Sequence, residues 1–394
     1  MIDNKESLVL PLYEENNTVP QSMESYNEIA LDNEGQFFDL LYDAMLKCKR
    51  NVMWKPSVKR FVLKGIKNIG KLKKELLNGT YRPRPPKTMM VYYPKRRRIF
   101  ANSFRDRIVQ TYLVDNFCTP LIGKSFVYGN VASQKGKGTD KALELAEKYL
   151  WREYCSNGTD YYILQIDIKK YYESIPLKGA LELFREKLPH AVYKIVELIL
   201  KSQYQNGFFA GSQIIQFLGV SYLNKLDHFI KEELQIKSYI RYQDDFFLLC
   251  YDRDYLTFCL EEIKKELAGL GLMVNEKKTK ITKITEGFRF LGFDWHISPQ
   301  GNIYKFTNPQ RIKHERYLIR KLSKLLAKEE LLIQMQSFLS YLDKSDSRQA
   351  KTKLLSYIDT IYSKREALAT SLLSCHNFSN FFKHIFSYMF IFYS

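Results

Sequence analysis

The spacing of apolar residues divides the chain into a mixed central region and a helical end. Apolar positions at helical spacing predict helices within 36–80, 104–118, 139–155, 177–203, 213–234 and 256–270. Short apolar runs predict strands at Tyr161–Asp167, Tyr239–Tyr242 and Phe246–Cys250, the last two forming a tight hairpin. From about 309 to 394 the spacing is helical throughout. This order predicts an α+β core followed by a separate helical module.

A proline-rich segment separates the first helices from a second predicted hairpin. Three prolines in Arg82–Pro86 exclude a helix and predict an extended lead into Met89–Tyr93. The segment Pro94–Phe100 then predicts a β-turn or hairpin that carries four consecutive cations from 95 to 98.

Both ends of the chain differ from this pattern. Residues 1–35 are polar and weakly patterned, which predicts an extended N-terminal arm without a signal peptide. The apolar tail 378–393 is interrupted by Lys383 and His384 and is too short for a membrane span of about 20 residues. We expect no membrane contact; a docked helix is the first interpretation of the tail, and an oligomer contact is the alternative.

Composition limits the partners and the compartment. The net charge of +18, from 61 Lys and Arg against 43 Asp and Glu, favours a polyanion: nucleic acid first, an anionic membrane second. Six Cys and six His are scattered, so neither a disulfide framework nor a zinc site is predicted. We expect the scattered cysteines to be reduced thiols, which indicates a cytoplasmic protein.

Three aspartates stand in positions that disfavour Asp. Asp167 closes an apolar strand, and Asp244 and Asp245 are predicted in the turn of an apolar hairpin. Each alone is ordinarily a cap or a turn former. Together in a basic chain they suit two hard cations, which need several oxygen ligands from one small region.

Six motifs in order resemble those of bacterial reverse transcriptases. Tyr242-Gln243-Asp244-Asp245 resembles their Y-x-D-D box, and Ile166–Ile175 resembles their first palm motif. The other four resemble two fingers motifs, the lysine-bearing palm motif and the primer-grip turn, and they lie at 94–110, 126–139, 272–281 and 290–292. The resemblance spans roughly residues 82–293 and is greatest to the stand-alone, defence-associated reverse transcriptases.

This resemblance implies an α+β right-hand polymerase with fingers, a palm built on an antiparallel sheet, and an all-helical thumb. The expected domains are the arm at 1–35, fingers at 36–160, palm at 161–300 and thumb with tail at 301–394. Helices within 177–235 are expected to belong partly to the fingers. The implied activity is RNA-templated DNA synthesis by two-metal nucleotidyl transfer.

The resemblance also assigns site residues. Asp167 and Asp244 would bind two Mg²⁺ ions, or Mn²⁺ in their place. Asp245 would be a secondary ligand or an electrostatic partner, and the Ile168 backbone would add an oxygen ligand. Lys278 would protonate pyrophosphate, and Tyr172 would exclude a ribose 2′-hydroxyl. The remaining nucleotide contacts would be Lys95, Arg97, Arg98 and Gln216; those with template or primer would be Gly207, Gly211, Phe290, Leu291 and Gly292. Each of these roles has an alternative without function. Tyr172 would be a core aromatic, Lys278 an ordinary exposed lysine, and residues 95–98 a solvated run of charge.

One motif departs from the family pattern. Gly207, Gly211 and Gln216 are retained, but Phe209 stands where relatives have proline and Ile215 where they have serine. This segment faces template and nucleotide in relatives, so its divergence suggests a narrowed template or product range.

The resemblance implies an RNA template, often a dedicated noncoding RNA, with deoxynucleotides, a DNA product and, in some members, a second protein or a homo-oligomer. The alternatives are a retroelement enzyme of the diversity-generating, retron or intron type, and an inert polymerase-like RNA-binding protein. An RNA end and a hydroxyl of the protein itself both remain open as primer.

Overall fold

The computed structural model describes residues 34–92 and 96–374. The first helices are α1 Glu34–Lys49, α2 Pro56–Leu63, α3 Gly65–Leu77, α4 Phe104–Leu113 and α5 Thr139–Asn157. The next are α6 Tyr171–Ser174, α7 Leu177–Arg185, α8 His190–Gln203, α9 Gln213–Ser221, α10 Asn224–His228 and α11 Arg253–Gly269. The last three are α12 Pro309–Leu322, α13 Lys328–Asp343 and α14 Arg348–Ser374.

The strands form three antiparallel sheets or ribbons. The strands are β1 Lys87–Val91, β2 Arg97–Ala101, β3 Tyr162–Asp167, β4 Ser238–Tyr242, β5 Asp245–Cys250, β6 Lys280–Lys283, β7 Phe288–Phe290, β8 Phe293–Ile297 and β9 Ile303–Thr307. β1 pairs with β2, the central sheet has the order β4-β5-β3-β6, and a third sheet has the order β7-β8-β9. The predicted α+β class with an antiparallel palm sheet is therefore confirmed.

The central sheet is buried because its strands are apolar on both faces. On one face, Leu164 and Phe246 are fully buried and belong to the main core; on the other face, Ile163 and Phe247 are fully buried as well. Burying each such side chain contributes about 1.5–3 kcal/mol. The helix after the hairpin, α11, packs here through a stripe that includes Leu256, as its spacing predicted.

The described chain divides into two compact units, with the boundary between Thr282 and Lys283. The first unit contains the central sheet and the β1–β2 hairpin. The second contains the sheet β7-β8-β9 and a separate helical core, formed by side chains of α12, α13 and α14 such as Ile319, Phe338 and Ile358. The predicted bounds of fingers, palm and thumb stay predictions.

One segment differs from the expected helical end. Residues 303–307 form β9, although the module from 301 onward was predicted to be helical. The run Ile-Tyr-Lys-Phe-Thr is rich in β-branched and aromatic residues, and it pairs with β8 along its whole length. A strand therefore forms here, and helical structure begins only at Pro309.

Several predictions fall on residues that are not described. These are most of the N-terminal arm, the apolar tail at 378–393 and Lys95. Within the described ranges, no helix is both long and apolar enough to cross a membrane.

Candidate active site

Strand pairing brings the three aspartates together. Asp167 ends β3 directly opposite Asp245, the first residue of β5. Asp245 also faces Tyr242 of β4, so the turn consists only of Gln243 and Asp244. The prediction that Asp245 lies in the turn is wrong, because the hairpin closes with two residues and Asp245 is already paired on both sides.

The aspartates lie close enough to oppose one another's ionisation. Burial, together with the charges of Asp244 and Asp167, raises the pKa of Asp245 to about 7. Burial also raises the pKa of Asp244, with a contribution from Asp167, while Arg97 and Lys278 act in the opposite direction. A bound cation would remove this mutual repulsion, because it favours the charged form of each carboxylate.

Asp167 is held by residues that follow α11. Lys278 Nζ donates to Asp167 Oδ1 at 2.6 Å, and Asn275 Nδ2 donates to Oδ2 at 2.9 Å. The Asn275 backbone N–H donates to the Asp167 carbonyl at 2.7 Å, and Ile168 forms an antiparallel bridge with Val274. The predicted lysine is thus ion-paired to a predicted metal ligand.

The donor chemistry fits a divalent cation, although the ligands are not preassembled around one. Within residues 34–92 and 96–374, no three Asp, Glu, His or Cys side chains converge closely enough to form a ready metal site. The available donors are nevertheless hard carboxylate oxygens with excess negative charge, which suit Mg²⁺. The Lys278 ammonium already occupies a cation position on Asp167.

Tyr172 lies against the turn formed by Gln243 and Asp244, which we call the catalytic turn after the predicted role of Asp244. Its hydroxyl donates to Gln243 Oε1 at 3.0 Å, and Gln243 Nε2 donates to Ser133 Oγ at 3.1 Å. Its ring packs on Gly219, where an added Cβ would come within 2.7 Å of the ring. Burial, and secondarily the charge of Asp244, raises the pKa of Tyr172, so its hydroxyl stays protonated. The predicted gate is therefore fixed in position by α9 and by the turn.

A buried ion pair supports the same turn, and sequence reasoning missed it. Arg241 and Asp227 are both fully buried; Arg241 Nε donates to Asp227 Oδ1 at 2.6 Å. Arg241 Nη1 also donates to the Gln243 carbonyl at 3.0 Å, and the Tyr239 hydroxyl donates to Asp227 Oδ1 at 2.6 Å. A signal was present, because an arginine inside the apolar run Tyr239–Tyr242 requires a buried partner.

The two arginines of β2, Arg97 and Arg98, are in different surroundings. Arg97 is exposed and near enough to Asp244 to lower its pKa. Arg98 donates to Gln205 Oε1 at 2.8 Å, and its guanidinium lies 4.8 Å from the ring centroid of Phe209. Neighbouring residues of a strand point to opposite faces, so only Arg97 is directed toward the carboxylates.

The glycines of the divergent segment are required by backbone packing. Gly207 has φ 137°, and a Cβ there would lie 2.5 Å from the Glu173 carbonyl oxygen. Gly211 has φ 122°, and a Cβ there would clash with the Phe100 carbonyl. The Phe100 N–H donates to the Ala210 carbonyl at 2.9 Å, which fixes the segment to β2.

A cavity of about 400 Å³ lies beside this segment. Its lining includes Gln216, Gly211 and Ser133, the residue that binds Gln243. Gln110, only 1% exposed, also lines it; its Oε1 accepts from Ser212 at 3.0 Å, whereas its Nε2 has no hydrogen-bond partner among the described residues. The cavity therefore offers an unused buried donor close to the catalytic turn.

The predicted primer-grip turn belongs to the second unit. Phe290 is fully buried, and Leu291 and Gly292 form the two-residue turn between β7 and β8. Their φ values of 51° and 84° are left-handed. Tyr341 of α13 donates its hydroxyl to the Gly292 carbonyl at 2.8 Å, which fixes the turn within its own unit.

Comparison with known proteins identifies the class. The model of the family described as "Reverse transcriptase (RNA-dependent DNA polymerase)" matches residues 86–295, more than half of the chain. The chain belongs to the reverse transcriptase family, as the motifs predicted, and has the right-hand polymerase fold of that family.

No curated protein matches the chain. Among solved structures, apo telomerase from Candida tropicalis is similar at 14% identity and a TM-score of 0.41. The match covers 57% of this chain and 49% of that one, so the chain spans about half the length of the telomerase.

Proposed function

We propose that this reverse transcriptase extends DNA by two-metal nucleotidyl transfer at Asp167, Asp244 and Asp245. The observation that carries the proposal is the strand register that places Asp167 opposite Asp245, with Asp244 in the adjoining turn. Two Mg²⁺ ions, or Mn²⁺ in their place, would activate the attacking hydroxyl and stabilise the leaving pyrophosphate when bound. The raised pKa values of Asp244 and Asp245 support this, because both carboxylates favour a compensating cation.

Each surrounding residue has a proposed role that follows from its position. Asp167 and Asp244 are the main ligands, with Asp245 and the Ile168 carbonyl as further donors. Lys278, paired with Asp167 until cations replace it, can then donate a proton to pyrophosphate. Tyr172 excludes a ribose 2′-hydroxyl, because its ring is held between Gly219 and Gln243.

The groups that contact nucleotide and template are proposed on the same basis. Arg97, near Asp244, would bind the triphosphate; Arg98 would do so only after leaving Phe209. Gln216 and Gly211 would contact nucleotide or template at the cavity that also contains the unpaired Gln110 donor.

The rest of the assignment depends on the resemblance alone. We propose fingers, palm and thumb at 36–160, 161–300 and 301–394, Gly207 as a template contact, and residues 290–292 as the primer grip. Lys95 stays a proposed triphosphate contact without structural description.

The biological setting is also proposed. A dedicated noncoding RNA would provide the template, and deoxynucleotides would be the substrate. The role would be antiphage defence in the cytoplasm. The protein would act as a homo-oligomer or with a second protein. The net charge of +18 supports an RNA partner, and Phe209 with its Arg98 contact supports an altered template path.

The test is DNA synthesis by the protein purified with its co-expressed RNA. With Mg²⁺ and all four deoxynucleotides, the wild type should form DNA that RNase resists and DNase destroys. Asp167→Asn and Asp244→Asn should each lose about 10³-fold or more, since each removes several kcal/mol of transition-state stabilisation. Asp39→Asn, at an exposed position on α1, is the matched control.

Two results would contradict the proposal: wild-type synthesis that chelation of divalent ions does not affect, or equal synthesis by Asp244→Asn. For the defence role, phage protection should be lost in Asp167→Asn. Equal protection by that variant would instead support an inert RNA-binding role.

A further inference from the structure

The helical pair α2–α3 carries a strongly basic surface that the proposed catalytic site does not use. From residue 52 to 74 the sequence contains eight Lys or Arg and no Asp or Glu. Seven of these cations are exposed: Lys55, Lys59, Arg60, Lys64, Lys67, Lys71 and Lys74. We call this set the α2–α3 surface.

The charge of this surface is not neutralised within the described chain. None of the seven cations forms an ion pair with another residue in the ranges 34–92 and 96–374. The first acidic residue after them, Glu75, is paired with Arg105 of α4. Like charges on neighbouring helical turns repel one another, so the surface is electrostatically unfavourable until an anion binds.

The two helices are firmly attached, so the cations project from a fixed support. Ile69, Leu72 and Leu76 of α3 are buried in the main core, and Val58 of α2 is buried as well. The ring of Phe61 packs edge-on against Phe104 at 5.2 Å. On α3, Lys67, Lys71 and Lys74 stand at i, i+4 and i+7, so they share one face of a rigid helix about 20 Å long.

The apolar face of α3 is already used, which argues against an anionic membrane. A helix that lies in a lipid surface needs a free apolar face on its own length. Here the apolar stripe of α3 is buried in the protein, and the large apolar side chains left exposed between residues 52 and 74 are Met53, Trp54, Leu63 and Ile66. Only Ile66 of these four lies on α3.

Single-stranded nucleic acid is also less suitable as the occupant. It is held largely by bases that stack on several aromatic side chains. Between residues 52 and 74, Trp54 is the only exposed aromatic residue. The surface therefore offers charge in quantity but almost no stacking platform.

We infer that the α2–α3 surface binds the phosphate backbone of a double-stranded segment of the RNA partner. A row of cations with few stacking groups suits a duplex, in which phosphates are regularly spaced and the bases are covered. The inference depends on the proposed RNA partner, and it adds where on this protein that RNA is held.

The test compares two variants with equal changes in charge. The first replaces four cations of the α2–α3 surface: Lys59→Gln, Arg60→Gln, Lys64→Gln and Lys67→Gln. The control replaces four exposed cations of α7, α8 and the loop between them: Lys178→Gln, Arg185→Gln, Lys187→Gln and Lys201→Gln. All eight residues are exposed, so both variants should fold, which circular dichroism would verify.

Binding of a fluorescent RNA hairpin is measured over a range of salt concentrations. The surface variant should bind the hairpin at least about tenfold more weakly. The slope of its log binding constant against log salt concentration should be shallower by about 3–4, which is close to one for each phosphate that the four cations no longer neutralise. The control variant should retain the wild-type slope. Vesicles of anionic lipid serve as the second probe, and the two variants should lower vesicle binding equally, since only net charge matters there.

Synthesis on a short unstructured RNA template separates this inference from the proposed function. The surface variant should copy that template at the wild-type rate, because its carboxylates are intact, and should lose synthesis on the co-expressed RNA. A surface variant that binds the hairpin with the wild-type slope, or one that loses only vesicle binding, overturns the inference. If the wild type itself makes no DNA, the proposed function fails, while the hairpin measurement still decides the role of the surface.

Discussion

Replacing Asp245 with asparagine should stabilise the metal-free protein, and it should do so more strongly as pH rises. The pKa of Asp245 is raised to about 7 in the folded protein by burial and by two neighbouring carboxylates. In the unfolded chain this carboxyl loses its proton near pH 4. Between these values the folded state binds more protons than the unfolded state, so the free energy of unfolding falls as pH rises and becomes level above 7.

The size of the effect follows from the same values. One pKa unit corresponds to about 1.36 kcal/mol, so the full penalty from a model value of 3.8 to about 7 is about 4 kcal/mol. A rise from pH 5 to 8 covers about two pH units below the folded pKa of about 7. The free energy of unfolding of the wild type should therefore fall by about 3 kcal/mol over this range. The asparagine in the Asp245→Asn variant cannot ionise, so this variant should not show that loss of stability. Only the ionisation of Asp244 should still lower its free energy of unfolding as pH rises.

The assay is urea denaturation at several pH values in a buffer that contains a chelator of divalent ions. The free energy of unfolding is taken from the midpoint urea concentration, with the dependence on urea held constant. The difference between variant and wild type should widen by about 3 kcal/mol from pH 5 to 8. Asp39→Asn, an exposed carboxylate of α1, should run parallel to the wild type. A curve for Asp245→Asn parallel to the wild type would show that the three carboxylates do not destabilise one another, and a cation would then have no repulsion to relieve.

Three further substitutions test the support of the catalytic turn. Gly219→Ala places a Cβ 2.7 Å from the Tyr172 ring, so the ring must shift; the ratio of ribonucleotide to deoxynucleotide kcat/KM should rise about tenfold, and an unchanged ratio would contradict the gate. Arg241→Met leaves the Asp227 carboxylate buried without its ion-pair partner, so the free energy of unfolding in urea should fall by about 3–5 kcal/mol. A fall of less than about 1 kcal/mol would contradict an ion pair that is shielded from water. Gly211→Ala forces a side chain into φ 122° and into a carbonyl, so the melting temperature should fall, whereas no change would show that the segment can move.

Sequence periodicity located most elements because burial determines them locally. The stripe with Leu256, Ile263 and Leu267 predicted α11, and all three side chains are buried. The apolar run before Asp167 predicted β3 in the same way. β9 was missed because its five residues, between the strand β8 and the helix α12, produce too short a signal.

The cluster of Asp167, Asp244 and Asp245 could be predicted from the resemblance, but the contacts that support it could not. Gln243 is the variable position of its motif, and its partner Ser133 lies 110 residues away in the chain. Asp227 lies in a short helix whose sequence does not indicate that it faces Arg241. Such contacts depend on how distant segments pack, and apolar periodicity contains no information on which polar side chains then meet.

The catalytic turn shows why this distant support is needed. Gln243 adopts φ 62°, a conformation that suits glycine and that costs a side-chain-bearing residue roughly 1 kcal/mol or more. The position still carries glutamine, and its side chain connects Tyr172 on one side with Ser133 on the other. Arg241 holds the carbonyl of the same residue. Glycine would relieve the strain but would remove both side-chain contacts, so the strained turn and the fixed position of Asp244 depend on the same residue.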